Sequence, residues 1–207
     1  MIFENRQEAG KKLAEKLNEY AGRSDVLLFA LPRGGVVLGA EVAHALKLPL
    51  DVIVTRKIGA PFNEEYAIGA LAETGETVWN ESERRAADPK AVAEIVRKEK
   101  QEAKRRIKKY RKDRALPSFE KKTVIIIDDG IATGLTMQAA IKAAQHQNAK
   151  KIVVAVPHGA RSSIQELENL GAQVIALQRP LIYGAVGQFY KEFQQITDEE
   201  VLELLNI

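Results

Sequence analysis

The 207-residue sequence contains no cysteine, which excludes disulfides, thiolate metal sites and a cysteine nucleophile. Aromatic residues are few, at 6% of the chain, while the overall apolar content is ordinary for a globular α/β protein. No apolar run approaches the length of a membrane span, and Met1-Ile2-Phe3-Glu4-Asn5-Arg6 lacks the basic-then-apolar layout of a signal peptide. These absences predict a soluble, cytoplasmic protein with no membrane partner. There is no Gly-x-x-x-x-Gly-Lys-Ser/Thr loop for ATP phosphates, which weighs against a kinase or a phosphohydrolase. No repeat or low-complexity tract divides the chain, and its length fits one domain, 1–207.

Charge is unevenly spread. The formal net charge is +3, yet eleven Lys/Arg against three Asp/Glu lie between Arg97 and Arg114, an excess of +8 that leaves −5 for the rest. Such a helical face is most often simply solvated. It can also steer an anionic ligand or touch nucleic acid.

What the chain does have is concentrated in Val124-Ile125-Ile126-Ile127-Asp128-Asp129-Gly130-Ile131-Ala132-Thr133-Gly134-Leu135-Thr136. Four β-branched residues in a row read as a strand buried on both faces in a parallel sheet. Two carboxylates end it, a loop of Gly, Thr and small residues follows, and Met137, Ala140, Ile141 and Ala144 then recur at helical spacing. A helix N-terminus offers unpaired N–H groups to a phosphate. Gly130 and Gly134 permit the close approach of a ligand-cradling loop, and the Thr133 and Thr136 hydroxyls can donate. Carboxylates at the strand end suit neighbouring diol hydroxyls or a hydrated Mg2+. An ordinary strand-to-helix turn is the competing reading, but it leaves two adjacent carboxylates without a purpose.

One strand earlier, Val26–Leu31 runs into Pro32-Arg33-Gly34-Gly35 and then a helix carrying Val36, Val37, Ala40, Val42, Ala43 and Leu46. Two glycines with an arginine make a second potential anion site, although tight turns also use glycine routinely. Leu50–Thr55 reads as the next strand, ending in Arg56-Lys57, with an irregular link at 58–63.

The acidic stretch resembles the PRPP (phosphoribosyl pyrophosphate) motif of the type I phosphoribosyltransferases: apolar strand, two acidic residues, and a loop ending in Thr-Gly-x-Thr. The resemblance implies that Asp128 and Asp129 hold the ribose 2′- and 3′-hydroxyls and serve catalysis, with Mg2+ as cofactor at the same pair. It implies that Gly130, Ile131, Ala132, Thr133, Gly134, Leu135 and Thr136 wrap the 5′-phosphate. Gly130 departs from the pattern, since an apolar residue is commoner there. Arg33, Gly34 and Gly35 take the place of the pyrophosphate loop, where the family often has a strained or cis peptide. Arg56-Lys57 resembles the Arg-Lys that meets pyrophosphate in adenine phosphoribosyltransferases. Arg84 and Arg85, in a polar stretch at 81–90, fall where the family carries a mobile hood over the leaving group.

The remaining elements follow from pattern. Asn5-Arg6-Gln7-Glu8 has the form of a capping box opening a helix with Ala9, Leu13, Leu17 and Tyr20 on one face. Residues 66–72 and 77–80 flank Thr74-Gly75-Glu76 as a hairpin, and Trp79 reads as packing. Asp88-Pro89 opens a long helix with Val92, Val96, Ala103, Ile107 and Tyr110 as its apolar seam. Lys151–Val156 and Gln173–Gln178 are further strands around a helix through Ile164, Leu167 and Leu170. His158 falls at a strand's C-terminal end, the side where open α/β sheets bind ligands, and reads as facing the site or, for preference, as an ordinary loop histidine; His44 and His146 carry no assignment. In the tail, Tyr183, Phe189 and Tyr190 either stack on a base or anchor the tail, before Thr197-Asp198-Glu199-Glu200 caps a final helix.

The expected fold is α/β and phosphoribosyltransferase-like: a mostly parallel central sheet flanked by helices, an antiparallel hairpin, a core over 24–180, and a small hood from 1–23 and 181–207. The expected function is transfer of ribose 5-phosphate from PRPP to a nitrogen nucleophile, a nucleobase for preference, with release of pyrophosphate. The alternative is a regulatory protein on the same fold that binds PRPP or a nucleotide and reaches RNA or DNA. The acceptor is not written in the sequence, and members of this fold are often homodimers.

Overall fold

The computed structural model describes residues 1–112 and 114–205; Asp113 of the basic segment and residues 206–207 of the tail lie outside the described residues. Strands β1 (Val26–Ala30), β2 (Leu50–Val52), β6 (Thr123–Ile127), β7 (Lys151–His158) and β8 (Gln173–Gln178) form a parallel sheet of order β2-β1-β6-β7-β8. The β-branched run is the central strand because it must be apolar on both sides. Ile125 and Ile127 join Leu13, Leu38 and Val42 on one face, from α1 (Arg6–Lys16) and α2 (Gly34–Leu46). Val124 and Ile126 join Met137, Ile141, Ile164 and Leu167 on the other, from α5 (Leu135–His146) and α6 (Arg161–Asn169). The period of two in a strand assigns alternate residues to opposite layers.

The second sheet departs from expectation. The predicted strand Leu50–Thr55 is two strands: β2 ends at Val52, and β3 (Thr55–Ala60) starts a separate antiparallel sheet, β3-β4-β5, with β4 (Asn63–Ala72) and β5 (Thr77–Trp79). Residues 58–63 are therefore a hairpin with an irregular register around Gly59, not an irregular link. Arg56 and Lys57 lie inside β3 rather than at the end of a parallel strand. The predicted hairpin at 66–80 is the β4-β5 half of this sheet. A buried ion pair closes the junction: Arg111 donates to Glu73 and to the Val52 carbonyl, while Glu73 accepts the Val54 N–H.

The polar stretch 81–90 holds a short helix before the long helix that Asp88-Pro89 opens as expected. Asn80 caps α3 (Glu81–Ala86), and Asp88 then caps the long α4 (Pro89–Arg111) by accepting from the N–H groups of Lys90 and Ala91. Helix α4 packs Val92, Ala103 and Tyr110 against Ile58 and Ile68, and α5 packs Leu135, Ala139 and Ala143 against Ala70 and Val78, so the small sheet is covered on both faces.

The chain ends meet. Phe3 bridges Tyr190 in parallel fashion, and Lys191 and Glu192 donate backbone N–H groups to Phe3 and Glu4. Asn5 caps α1 as expected by accepting from Glu8 N–H, but the Glu8 carboxylate reaches back to Glu4 rather than to Asn5. Thr197 and Glu200 form a reciprocal capping box on α7 (Asp198–Leu205), whose Val201 is fully buried.

Candidate active site

Strand order 2-1-6-7-8 reverses direction between β1 and β6, and in open α/β sheets the crevice at such a switch point binds ligands at the strand C-termini. Both glycine-bearing loops emerge there. Asp128 and Asp129 follow β6, and the Asp129 N–H donates to Asp128 Oδ1 at 2.9 Å. Pro32-Arg33-Gly34-Gly35 follows β1, with a cis peptide between Pro32 and Arg33. The two loops touch so closely that a Cβ on Gly34 would overlap the Asp129 carboxylate, and one on Gly35 would lie 2.8 Å from the Ile127 carbonyl.

Residues 130–134 then wrap the start of α5. Gly134 takes φ +75, the left-handed turn that L side chains rarely adopt, and its carbonyl accepts from Gln138 at 2.8 Å. Asp128 to Met137, Lys57, Ala67, Gly69 and Val186 line a cavity of about 220 Å³. The sequence-predicted residues Asp128, Asp129, Gly130, Ile131, Ala132, Thr133, Gly134, Leu135 and Thr136 thus share one hollow with Lys57. Arg33 stands at the N-cap of α2, half-buried.

The other candidates have partners within the protein. Arg56 pairs with Glu99 of α4 at 2.6 Å, and Lys57 pairs with Glu65 at 2.8 Å. Adjacent residues on a strand face opposite ways, so only one of the pair turns toward the acidic loop. Arg84 stacks over Trp79 at 4.7 Å and pairs with Glu81, and with Arg85 it lines a separate groove between α3 and α4. In the tail, Tyr190 is buried and its hydroxyl donates to the Asp129 carbonyl at 2.7 Å. Phe189 stacks on His158 at 4.2 Å, and Tyr183 hydrogen-bonds His158 Nδ1 at 2.8 Å.

Two residues matter more than the sequence suggests. His158 is the last residue of β7 and fully buried, not a loop histidine. Its ring lies against Gly130, where a Cβ would meet His158 Cε1 at 2.5 Å and Val186 at 2.8 Å. The glycine that departs from the family pattern is the one that makes room for this imidazole. Arg6 is the second: its Nε donates to Asp129 Oδ2 at 2.8 Å and another guanidinium nitrogen donates to the Gln194 carbonyl at 2.7 Å. A signal existed, because Arg6 stands three and seven residues before Ala9 and Leu13, on the apolar side of α1.

Electrostatics follow from burial. Desolvation pushes the Asp128 carboxyl well above the ordinary carboxylate range, and the adjacent Asp129 charge pushes the same way. Asp129 is also raised by burial, against the opposing charge and hydrogen bond of Arg6. Burial lowers His158 to about 4, so its ring is neutral at pH 7. Tyr183 and Tyr190 are raised by burial first and by the nearby carboxylates second.

Among the described residues no group of three or more His, Asp or Glu side chains gathers as a metal cage. No helix among them is long and apolar enough to cross a membrane. The hollow thus brings together paired carboxylates, a glycine-bearing loop at a helix start and one lysine.

Comparison with known proteins agrees. The family model for the phosphoribosyl transferase domain matches residues 2–191. A Mycobacterium tuberculosis H37Rv protein carrying the name "Putative phosphoribosyl transferase Rv0571c" is 39% identical over 207 residues, covering 99% of this chain and 46% of its own. Its counterpart in strain CDC 1551, MT0597, matches equally. The chain thus spans about half the length of these curated relatives. The crystal structure of TT1426 from Thermus thermophilus superposes with a TM-score of 0.79 at 37% identity, over 99% of this chain and 98% of that one. The α/β fold is shared with that structure, and the chain belongs to the phosphoribosyl transferase domain family.

Proposed function

We propose that the protein transfers ribose 5-phosphate from PRPP to a nitrogen nucleophile, a nucleobase being the acceptor class, and releases pyrophosphate. The observation that carries this reading is the pair of adjacent, desolvated carboxylates at the end of β6, directly before a phosphate-type cradle. Attack of the acceptor nitrogen on C1 forms the new C–N bond as the C1–O bond to pyrophosphate breaks; the electron pair leaves with pyrophosphate and the nitrogen loses a proton. Asp128 and Asp129 hold the ribose hydroxyls and place negative charge beside the cationic ribosyl centre. The 130–136 backbone holds the 5′-phosphate. Arg33, the Gly34 and Gly35 amides and Lys57 face the leaving group. Lys57 and Arg56 act there only by leaving Glu65 and Glu99, and Arg84 only by leaving Glu81 and Trp79. Tyr183 and Phe189 offer the base its aromatic edge, while buried Tyr190 supports them.

The donor set fits Mg2+, which takes one or two carboxylates plus substrate oxygens rather than an all-protein cage. Bound through Asp128 and Asp129, it would supply charge neutralisation on the departing pyrophosphate.

Calorimetric titration with PRPP and Mg2+ tests the reading. Wild type should bind, and the Asp128→Asn/Asp129→Asn protein should not, at an unchanged fold by circular dichroism. Equal binding by both proteins, or none by wild type, sinks it.

A second reading, a regulator on this fold that binds PRPP or a nucleotide and contacts RNA or DNA, is favoured by one observation. Acidic neighbours pair with Lys98, Arg105, Arg106, Lys109 and Arg111, the α7 N-terminus contributing Asp198 and Glu199. Arg97, Lys100, Lys104 and Lys108 stay exposed, form a row at helical spacing, and have no ion-pair partner among the described residues. RNA binding that weakens steeply with salt and vanishes when these four become glutamine would favour it.

A further inference from the structure

Arg6 is the first residue of α1 and only 7% exposed. That is a costly place for a cation. Helix N-termini carry partial positive charge, and a buried guanidinium must recover its lost hydration from partners. Three partners do so here, one from the acidic pair and two from the C-terminal segment. Arg6 Nε holds Asp129 Oδ2, its guanidinium donates to the Gln194 carbonyl, and its plane lies 3.9 Å from the Phe193 ring centre.

We propose that Arg6 is a positioning residue for the sugar site, one that fixes the Asp129 carboxylate and ties its orientation to the C-terminal segment at Phe193 and Gln194. The inference rests on the sugar-phosphate reading of the acidic pair. Each carboxylate has one oxygen taken by the protein: Asp128 Oδ1 by the Asp129 N–H, and Asp129 Oδ2 by Arg6. One oxygen on each remains for a ligand, which matches the two vicinal hydroxyls of a ribose. Gly34 allows this arrangement, since a Cβ there would overlap the Asp129 carboxylate and approach Arg6 Nε at 3.0 Å. The carboxylate is thereby clamped between the first helix, the β1 loop and the tail. Phe193 is 40% exposed; it lies over the guanidinium and stacks on Tyr190 at 5.3 Å.

The test is calorimetric titration with two probes, Mg-PRPP and ribose 5-phosphate, on wild type, Arg6→Met, Arg6→Lys and Phe193→Ala, with a melting curve for each. Losing the charge-assisted hydrogen bond that orients Asp129 should weaken both probes about tenfold or more in Arg6→Met. Arg6→Lys should recover most of that affinity, because an ammonium can still meet Oδ2. Phe193→Ala should weaken binding about threefold while barely moving the melting curve, and it decides the question if Arg6→Met does not fold. Wild-type affinity in Arg6→Met, or in Phe193→Ala, overturns the inference, as does a folded Arg6→Lys that binds no better than the methionine variant. If wild type takes ribose 5-phosphate but not PRPP, the transferase reading fails and Arg6 is judged on ribose 5-phosphate. If it takes neither, both readings fall.

Discussion

The loop at 128–136 and the cap made by the chain ends lie against each other but are built on different principles. The loop is contiguous: strand, acids, glycines and helix start follow within thirteen residues, and each local choice supports the same turn. The cap is assembled from Phe3 and Arg6 at one end and Tyr183 to Gln194 at the other, with His158 between them. Arg6 and Asp129 are 123 residues apart in sequence. A local motif can specify the first region; only closure of the whole fold creates the second. On the proposed function the loop carries the phosphate and sugar contacts, whereas the cap sets how the acidic pair is held.

The sharpest way to break the contrast is Gly34→Ala. Its methyl group would strike the Asp129 carboxylate from the β1 side, so Mg-PRPP binding should be lost and stability should fall by about 1–3 kcal/mol, read by calorimetry and urea melts. Gly130→Ala strikes the cap instead, at His158 and Val186. It should cost stability on a similar scale, about 1–3 kcal/mol, while leaving a weakened but measurable affinity. If Gly130→Ala is as stable as wild type, the cap is not packed as described.

A pH series sharpens the cap's side of the comparison. His158 is depressed to about 4 by burial. Its unfolded state therefore binds the proton first as pH falls below about 6.5, and the folded state loses stability from there down to about pH 4. Between pH 7 and pH 5 the loss attributable to this group should be about 2 kcal/mol. The difference between wild type and His158→Gln in chemical denaturation isolates it; parallel curves for the two proteins would remove His158 as the cause.

The acidic pair should respond with opposite signs. Asp128 is raised by burial and by its neighbour's charge, so the stability of its protonated form is lost as pH rises through the folded value. Its ionised form thus costs stability at pH 7, and Asp128→Asn should raise the melting temperature slightly. Asp129→Asn removes the partner of buried Arg6 and should lower it. Differential scanning at pH 7 distinguishes the two. The smallest effect concerns the exposed row on α4, where Lys104→Gln should change stability by less than about 0.5 kcal/mol.

Much of the fold was legible. Runs such as Val124–Ile127 and Ile152–Val156 are apolar at every position because both faces are covered, and a parallel sheet follows. The caps at Asn5, Asp88 and Thr197 were visible because a capping residue is adjacent to the groups it satisfies. The break at Val52 was not visible, since Leu50–Thr55 is apolar whether it serves one sheet or two. What ends β2 is the buried Arg111–Glu73 pair, whose members lie 38 residues apart. Arg56 and Lys57 were legible as a basic pair but not as residues facing opposite ways.

By itself the sequence determined the apolar strands β1, β6, β7 and β8, the helix caps at Asn5, Asp88 and Thr197, and the order of acids and glycines at the end of β6, because these depend on neighbours along the chain. Tertiary structure alone decided that Arg6 holds Asp129, that His158 lies over Gly130, and that α7 neutralises part of the basic helix. Those contacts join residues that meet only after the ends have closed on the sheet, where burial turns an arginine of a capping sequence and a histidine at a strand end into neighbours of the acidic loop.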